Sequence, residues 1–200
     1  MSSTIPYSQS VYLTSATNLQ QLPSDQGAEV AFIGRSNAGK SSALNVITSV
    51  KGLARTSSTP GRTQMINYFA IDDTRRLVDL PGYGFARVPP SVKEKWQKMT
   101  SDYFENRKSL VGLVLVMDCR HPMKDSDQQL IFWCDEFQVP AHILLTKADK
   151  LTKNLQNKTL FSVMHSVANC QTVSVQLFSS LQKTGVDEAR LKLDEWFLEA

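Results

Sequence analysis

The chain has 200 residues, 42% of them hydrophobic and 20% charged, with a formal net charge of +3. That length supports one domain with a substantial core but not two, and the apolar run Leu110 to Met117 is far short of the roughly 20 residues a membrane helix needs. Met1 to Tyr7 show no basic stretch followed by an apolar core, so no secretory signal is expected. Cys119, Cys134 and Cys170 have unrelated spacings that fit neither a disulfide framework nor a zinc motif, as in a reducing cytoplasm.

Residues 1–26 are polar and read as an N-terminal extension with room for one short strand around Val11 to Leu13; residues 27–200 then form a single domain. Glu29 to Ile33 is a short apolar strand ending at Gly34, and Gly39 to Val50 has the pattern of a helix. Met65 to Ile71 and Arg75 to Leu80 are strands joined by Asp72-Asp73-Thr74, a hairpin signal. Pro89 to Arg107 carries apolar residues at helical spacing (Val92, Trp96, Met99, Tyr103, Phe104) with proline at its start. Strand Leu110 to Asp118, helix Asp125 to Phe137, strand Ala141 to Thr146, helix Asn154 to Val167, strand Thr172 to Phe178 and helix Gly185 to Leu198 complete the alternation. Apolar strands alternating with amphipathic helices imply an α/β fold. Its sheet is mostly parallel and six-stranded, with one antiparallel strand and helices on both faces. Ligands of such sheets sit beyond the carboxyl ends of the strands, and each motif below lies at such an end.

Gly34-Arg35-Ser36-Asn37-Ala38-Gly39-Lys40-Ser41 satisfies the P-loop pattern between a strand and a helix. Its glycines let backbone N–H groups wrap a phosphate at a positive helix terminus. Lys40 is placed to reach the β- and γ-phosphates and Ser41 to coordinate Mg²⁺. Asp79-Leu80-Pro81-Gly82 closes the strand downstream: Asp79 would hold the magnesium shell and the Gly82 N–H would sense the γ-phosphate. Thr146-Lys147-Ala148-Asp149 is the base-reading element. One carboxylate at Asp149 accepts from both the N1–H and the exocyclic amine of guanine, a donor pair that adenine lacks. Lys147 can lie along the base. Thr146 stands where the motif usually has Asn, and its shorter hydroxyl is expected to make fewer bonds and weaken affinity. Ser58 to Gln64 is a turn-rich loop in which Thr63, or alternatively Thr59, would complete the metal shell when the γ-phosphate is present, giving an order–disorder switch. Phe178-Ser179-Ser180 ends the last strand, where backbone amides can meet the guanine carbonyl.

Between Val30 and Ile71 five basic residues (Arg35, Lys40, Lys51, Arg55, Arg62) occur with no acidic one. The stretch either handles the bound nucleotide's phosphates or presents a nucleic-acid surface. His121, His142 and His165 have no metal-like spacing, and Trp96, Tyr103, Phe104, Trp133, Trp196 and Phe197 read as packing residues.

GRSNAGKSS (34–42), TPGRTQ (59–64), LVDLPGYGFA (77–86), MDCRHPMK (117–124) and LLTKADKL (144–151) together resemble the EngB (YihA/YsxC) family of Era-like GTPases, within the Ras-like TRAFAC class. The resemblance covers nearly the whole chain and includes the TKAD variant. It implies a cytoplasmic GTPase that assists assembly of the large ribosomal subunit and is linked to cell division and septation. It also implies GTP contacts at Gly34 to Ser41, at Gly61, Arg62, Thr63, Gln64 and Met65, at Asp79 to Gly82, at Thr146 to Asp149 and at Phe178 to Ser180. Magnesium falls on Ser41 and Thr63, which settles the choice against Thr59. The expected partners are GTP or GDP and large-subunit rRNA, with the chain monomeric and no membrane involved.

The catalytic contacts then fall on Lys40, Thr63 and Gly82, since phosphoryl transfer needs positioning and charge compensation more than covalent chemistry. Tyr83 follows Gly82 where Ras-type enzymes carry a water-orienting Gln, and Arg62 and Arg87 read as solvated loop charges, so slow turnover is expected. Asn37 has two readings. It is either a ligand for a K⁺ ion that stands in for an arginine finger, or a residue that suits a turn. A GTP-binding scaffold with negligible hydrolysis and a septum-associated protein are the alternative functions. The lack of lipidation signals, basic amphipathic helices and coiled coil counts against the second.

Overall fold

Successive residues of a strand face opposite sides of a sheet, and in this chain both sides are apolar. Along β2 (Ala28–Gly34), Val30 and Phe32 join one buried cluster while Ala31 and Ile33 join the other; β5 (Leu110–Asp118) divides Val114 and Val116 from Leu113 and Leu115 in the same way. Such strands need helices on both faces. The first face is covered by α1 (Lys40–Thr48) and α5 (Val186–Glu199) through Leu44, Ile47, Leu193, Trp196 and Phe197. The second is covered by α2 (Pro90–Asn106), α3 (Asp125–Glu136) and α4 (Lys153–Ser166) through Met99, Tyr103, Ile131, Cys134 and Val163. These elements come from a computed structural model that describes residues 4–55, 65–83 and 90–200, without the side chains of 90–97.

The sheet has seven strands in the order β1-β3-β4-β2-β5-β6-β7, adding β1 (Val11–Ala16), β3 (Ile66–Ala70), β4 (Arg75–Asp79), β6 (Ala141–Thr146) and β7 (Val173–Leu177). β3 runs antiparallel to both neighbours and every other pairing is parallel. The alternating α/β architecture is thus as the sequence implies, with strand and helix ends shifted by a residue or two.

The strand count is the correction. Six strands were expected, and the extension supplies a seventh that is longer than Val11 to Leu13. β1 is an edge strand whose Val11, Tyr12 and Leu13 are exposed, so it lacks the apolar alternation of a covered strand; only Ala16 is fully buried. Upstream, Ile5 and Tyr7 are buried in the α1/α5 face, where the Tyr7 hydroxyl donates to Asp194 Oδ1 (2.8 Å) and the Thr4 N–H to Asp194 Oδ2 (3.1 Å). The polar extension therefore packs against both faces of the sheet.

The amino end of β2 carries an unexpected charge. Glu29 is fully buried, accepting from Arg107 Nη2 (2.5 Å) and Arg76 Nη1 (3.0 Å) at Oε1 and from Arg107 Nε (3.0 Å) and the Tyr103 hydroxyl (3.1 Å) at Oε2. Arg107 also donates to the Pro23 carbonyl (2.9 Å), so the same cluster ties the extension to the end of α2. No described helix is long and apolar enough to cross a membrane.

Candidate functional site

The turn between β2 and α1 forms because its residues accept backbone that others resist. Asn37 has φ +62° and Gly39 φ +100°, the left-handed region that asparagine and glycine tolerate. At Gly34 a side chain would meet the Val116 carbonyl of β5 at 2.4 Å, so the strand end can only be glycine. The asparagine's backbone is thereby accounted for as a turn, while its side chain stays exposed.

Lys40 opens α1, is buried, and forms an ion pair with Asp79 Oδ1 at the end of β4. Ser41, half-buried, follows in the first helical turn. Asp79 Oδ2 has the Asn67 amide nitrogen 3.5 Å away, and Asn67 Oδ1 accepts from Ser15 of the extension (2.7 Å). No local sequence pattern signals this support from β1 and β3, because the partners are far apart in the chain. Ser41 and Asp79 are hard oxygen donors of the kind Mg²⁺ takes. No group of three or more His, Cys, Asp or Glu that could hold a metal occurs among the described residues. A metal here would complete its shell with phosphate and water oxygens, as magnesium commonly does.

Two residues of the nucleotide motifs point elsewhere. Arg35 sends Nη2 to the His121 carbonyl (2.7 Å) and lies 3.6 Å from Asp127 Oδ2, leaving only its backbone for the phosphate loop. Tyr83 donates its hydroxyl to Asp127 Oδ1 (2.7 Å), and its backbone bridges to the Gly34 carbonyl (3.2 Å) and the Ser36 N–H (3.1 Å). Burial and the Asp127 carboxylate hold the phenol far above its usual pKa, so it remains protonated. Tyr83 is thereby tied to α3 through Asp127.

The segment Thr146 to Asp149 is braced against the turn between β2 and α1. Thr146 Oγ1 lies 2.5 Å from the Ala38 carbonyl and 2.9 Å from the Met117 carbonyl. The hydroxyl, expected to make fewer bonds than an Asn, is within reach of two carbonyls, although its single proton serves one at a time. Lys147, at φ +58°, donates from Nζ to the Asn37 carbonyl (2.7 Å). Asp149 Oδ1 accepts from Ser179 Oγ (2.6 Å), and chiefly this bond keeps its carboxyl below the ordinary range. Ser179 thus acts through its side chain, a role its position in the sequence did not suggest. The Phe178 N–H is taken by the Leu145 carbonyl and the Ser179 N–H by Thr184, so of the three amides only that of Ser180 has no hydrogen bond among the described residues.

Leu80, Pro81 and Gly82 follow β4 beside this site, with Leu80 fully buried, and Ala148 is buried next to Asp149. Met65 is exposed immediately before β3. Thr59, Gly61, Arg62, Thr63, Gln64, Arg87 and the Trp96 side chain lie outside the described residues. At the near side of that loop, Asn45 of α1 exchanges hydrogen bonds with the Ala54 N–H (2.7 Å) and carbonyl (2.9 Å). This anchors the segment carrying Lys51 and Arg55, both exposed and in no ion pair among the described residues. His142 is a packing residue, bonded to Ser174 Oγ and Gln176 Oε1 at 2.8 Å each.

The chain as a whole has counterparts among known proteins. The family described as 50S ribosome-binding GTPase matches residues 29–147. A probable GTP-binding protein EngB of Coxiella burnetii is 56% identical over 192 residues, covering 96% of this chain and 94% of that protein. The protein of the same description from Vibrio parahaemolyticus is 53% identical over 201 residues, covering 100% and 92%. The crystal structure of a probable GTP-binding protein engB superposes with a TM-score of 0.70 at 22% identity, covering 86% of this chain and 100% of that one, and so speaks for the fold alone. With more than half its residues identical to these relatives over nearly the full length of both, the chain belongs to the EngB family of GTP-binding proteins.

Proposed function

We propose that the chain binds GTP and GDP as magnesium complexes, hydrolyses GTP slowly, and uses the difference as a switch on the large ribosomal subunit. The observation that carries this is the bracing of one phosphate turn against two motifs: Lys40 contacts Asp79, while Thr146 and Lys147 reach the carbonyls of Ala38 and Asn37. Phosphate grip, metal support and base reading then work as one unit. Family membership and the ribosome-binding description of the matching domain support the reading.

Lys40 would exchange Asp79 for the β- and γ-phosphates, and Ser41, Asp79 and Thr63 are the residues that would hold the metal. The magnesium ion supplies charge compensation when bound. The P-loop amides hold the phosphate chain in place, the Gly82 N–H senses the γ-phosphate, and Asp149, oriented by Ser179, pairs with guanine. Turnover is slow because the Tyr83 hydroxyl is held by Asp127. The same contact favours the scaffold reading with negligible hydrolysis, which a single-turnover assay separates: measurable GDP formation supports the switch, and none over many hours supports the scaffold.

The exposed Lys51 and Arg55 lie beside the loop that the γ-phosphate would order, which suits an anionic partner such as rRNA. The assignment to the cytoplasm and the link to cell division and septation rest on the family resemblance. Titration with labelled GTP and ATP in Mg²⁺ tests the nucleotide reading: a preference for GTP of at least 100-fold is expected, and equal affinity contradicts it. Co-sedimentation with large subunits should be stronger with a non-hydrolysable GTP analogue than with GDP and should fall steeply with salt. Binding indifferent to nucleotide and salt would remove the ribosomal part of the reading.

A further inference from the structure

Asp118 closes β5 and belongs to none of the nucleotide motifs, yet it is 8% exposed and surrounded by cations. Its Oδ1 accepts from the Arg120 N–H (3.0 Å) and Nε (2.9 Å), and its Oδ2 from Arg120 Nη2 (2.7 Å). Lys147 Nζ lies 2.9 Å from the same Oδ2 while donating to the Asn37 carbonyl. The residues on either side of Asp118 brace the same segment: the Met117 carbonyl faces Thr146 Oγ1, and the Cys119 N–H donates to the Thr146 carbonyl (2.9 Å).

We infer that Asp118 is a positioning residue for guanine-nucleotide binding, holding the Lys147 ammonium against the Asn37 carbonyl so that the lysine stem forms a fixed wall of the base pocket. A lysine side chain is long and has many rotamers, so an unheld one must be ordered when the ligand arrives. Asp118 provides that order beforehand, and Arg120 orients Asp118 by gripping both of its oxygens. Since the contact lies on the base side, it acts equally on GDP and GTP. This inference rests on the nucleotide site of the proposed function and on the sequence reading that Lys147 lies along the base.

The test is the release rate of fluorescent GDP and a fluorescent GTP analogue from Asp118→Ala, Lys147→Ala and the double variant. Asp118→Ala should speed release of both nucleotides by about 10-fold, the scale of a lost hydrogen bond to a charged group. Its thermal unfolding is recorded alongside. Arg120→Ala, which removes a more exposed side chain, should speed release by about 3-fold, in the range of surface ion pairs. Asp118→Asn should restore part of the loss, because its amide oxygen still accepts from Lys147. In the Lys147→Ala background, Asp118→Ala should add less than about 2-fold, because residues acting through one another are non-additive. An undiminished Asp118 effect in that background, or one confined to the GTP analogue, overturns the role given to Asp118. Wild-type release from Lys147→Ala alone overturns the underlying pocket reading instead.

Discussion

The two ends of β2 handle buried charge in opposite ways. At the amino end, Glu29 is fully buried and shared between two guanidiniums and the hydroxyls of Tyr68 and Tyr103, with both oxygens partnered within the chain. At the carboxyl end, Lys40 and Asp79 are also buried, but they hold chiefly each other beside a turn whose N–H groups suit an anion. The first arrangement joins extension, sheet and α2 permanently. In the proposed function the second is exchanged, each partner of the pair turning to a magnesium nucleotide. Burial of charge alone therefore does not mark a site; what marks it is a partner that a ligand can replace.

The largest effect expected from this contrast is on stability. Glu29→Ala strands two guanidiniums and should cost about 3–5 kcal/mol, the scale for breaking a buried ion pair from one side. Urea unfolding measures it. Because the cluster lies at the far end of the sheet, the variant should still gain stability from saturating Mg–GDP, by about 2.7 kcal/mol at 100 times Kd. Lys40→Ala should show the converse: that ligand-induced gain disappears, and affinity for GDP falls by on the order of 100-fold, as for a lost charge-assisted contact. If Glu29→Ala loses the ligand gain while Lys40→Ala keeps it, the two ends have been assigned the wrong way round.

Smaller effects divide the site further. Ser179→Ala removes the hydroxyl that orients Asp149 and should weaken GDP binding by about 10-fold, near the net value of one hydrogen bond with a charged partner. An equilibrium titration decides this. Asn37→Gly keeps the left-handed turn and removes only the carboxamide. If that side chain holds potassium, replacing Na⁺ by K⁺ should speed hydrolysis in the wild type but not in this variant. A variant that keeps the acceleration would leave Asn37 as a turn residue.

The smallest effect is on pH dependence. Burial lowers the pKa of His142, so the folded chain favours the neutral ring. The unfolded chain takes up a proton below about pH 6.5, and stability should decline from there as the pH falls through the lower folded value. Asp72 acts lower on the scale. Burial opposes its ionisation, but the Thr74 and Arg75 N–H groups and the Arg75 guanidinium outweigh that and depress its pKa. Its contribution is present above about pH 3.9, the usual aspartate value, and is lost in stronger acid. Thermal unfolding across pH 3–8 should show both declines, and His142→Gln should flatten only the upper one.

What could be read from the sequence was what is contiguous in it. Gly34 to Ser41, Asp79-Leu80-Pro81-Gly82 and Thr146-Lys147-Ala148-Asp149 are short runs whose spacing predicts that they meet at one end of the sheet, and strands such as β5 stand out as apolar runs. The remainder depends on groups distant in the chain. Asn67 supports Asp79 from the next strand, Asp127 holds Tyr83 across 44 positions, and Ser179 reaches Asp149 across 30. No local pattern records such pairs. β1 was underestimated for a related reason: an edge strand exposed on one side needs little apolar periodicity, and Val11 to Leu13 face solvent. The two carbonyls that the fold brings to Thr146 Oγ1, those of Ala38 and Met117, are likewise distant in the chain.

The most direct test of the central claim, that Asp149 reads guanine in a magnesium nucleotide site, is calorimetric titration of the wild type and Asp149→Asn with GDP and XDP. The wild type should bind GDP and discriminate against XDP. In the variant the preference should reverse, because the amide presents a donor where guanine has donors and xanthine an acceptor. If Asp149→Asn binds GDP as the wild type does and gains nothing for XDP, the base is read elsewhere and the account of this site is wrong.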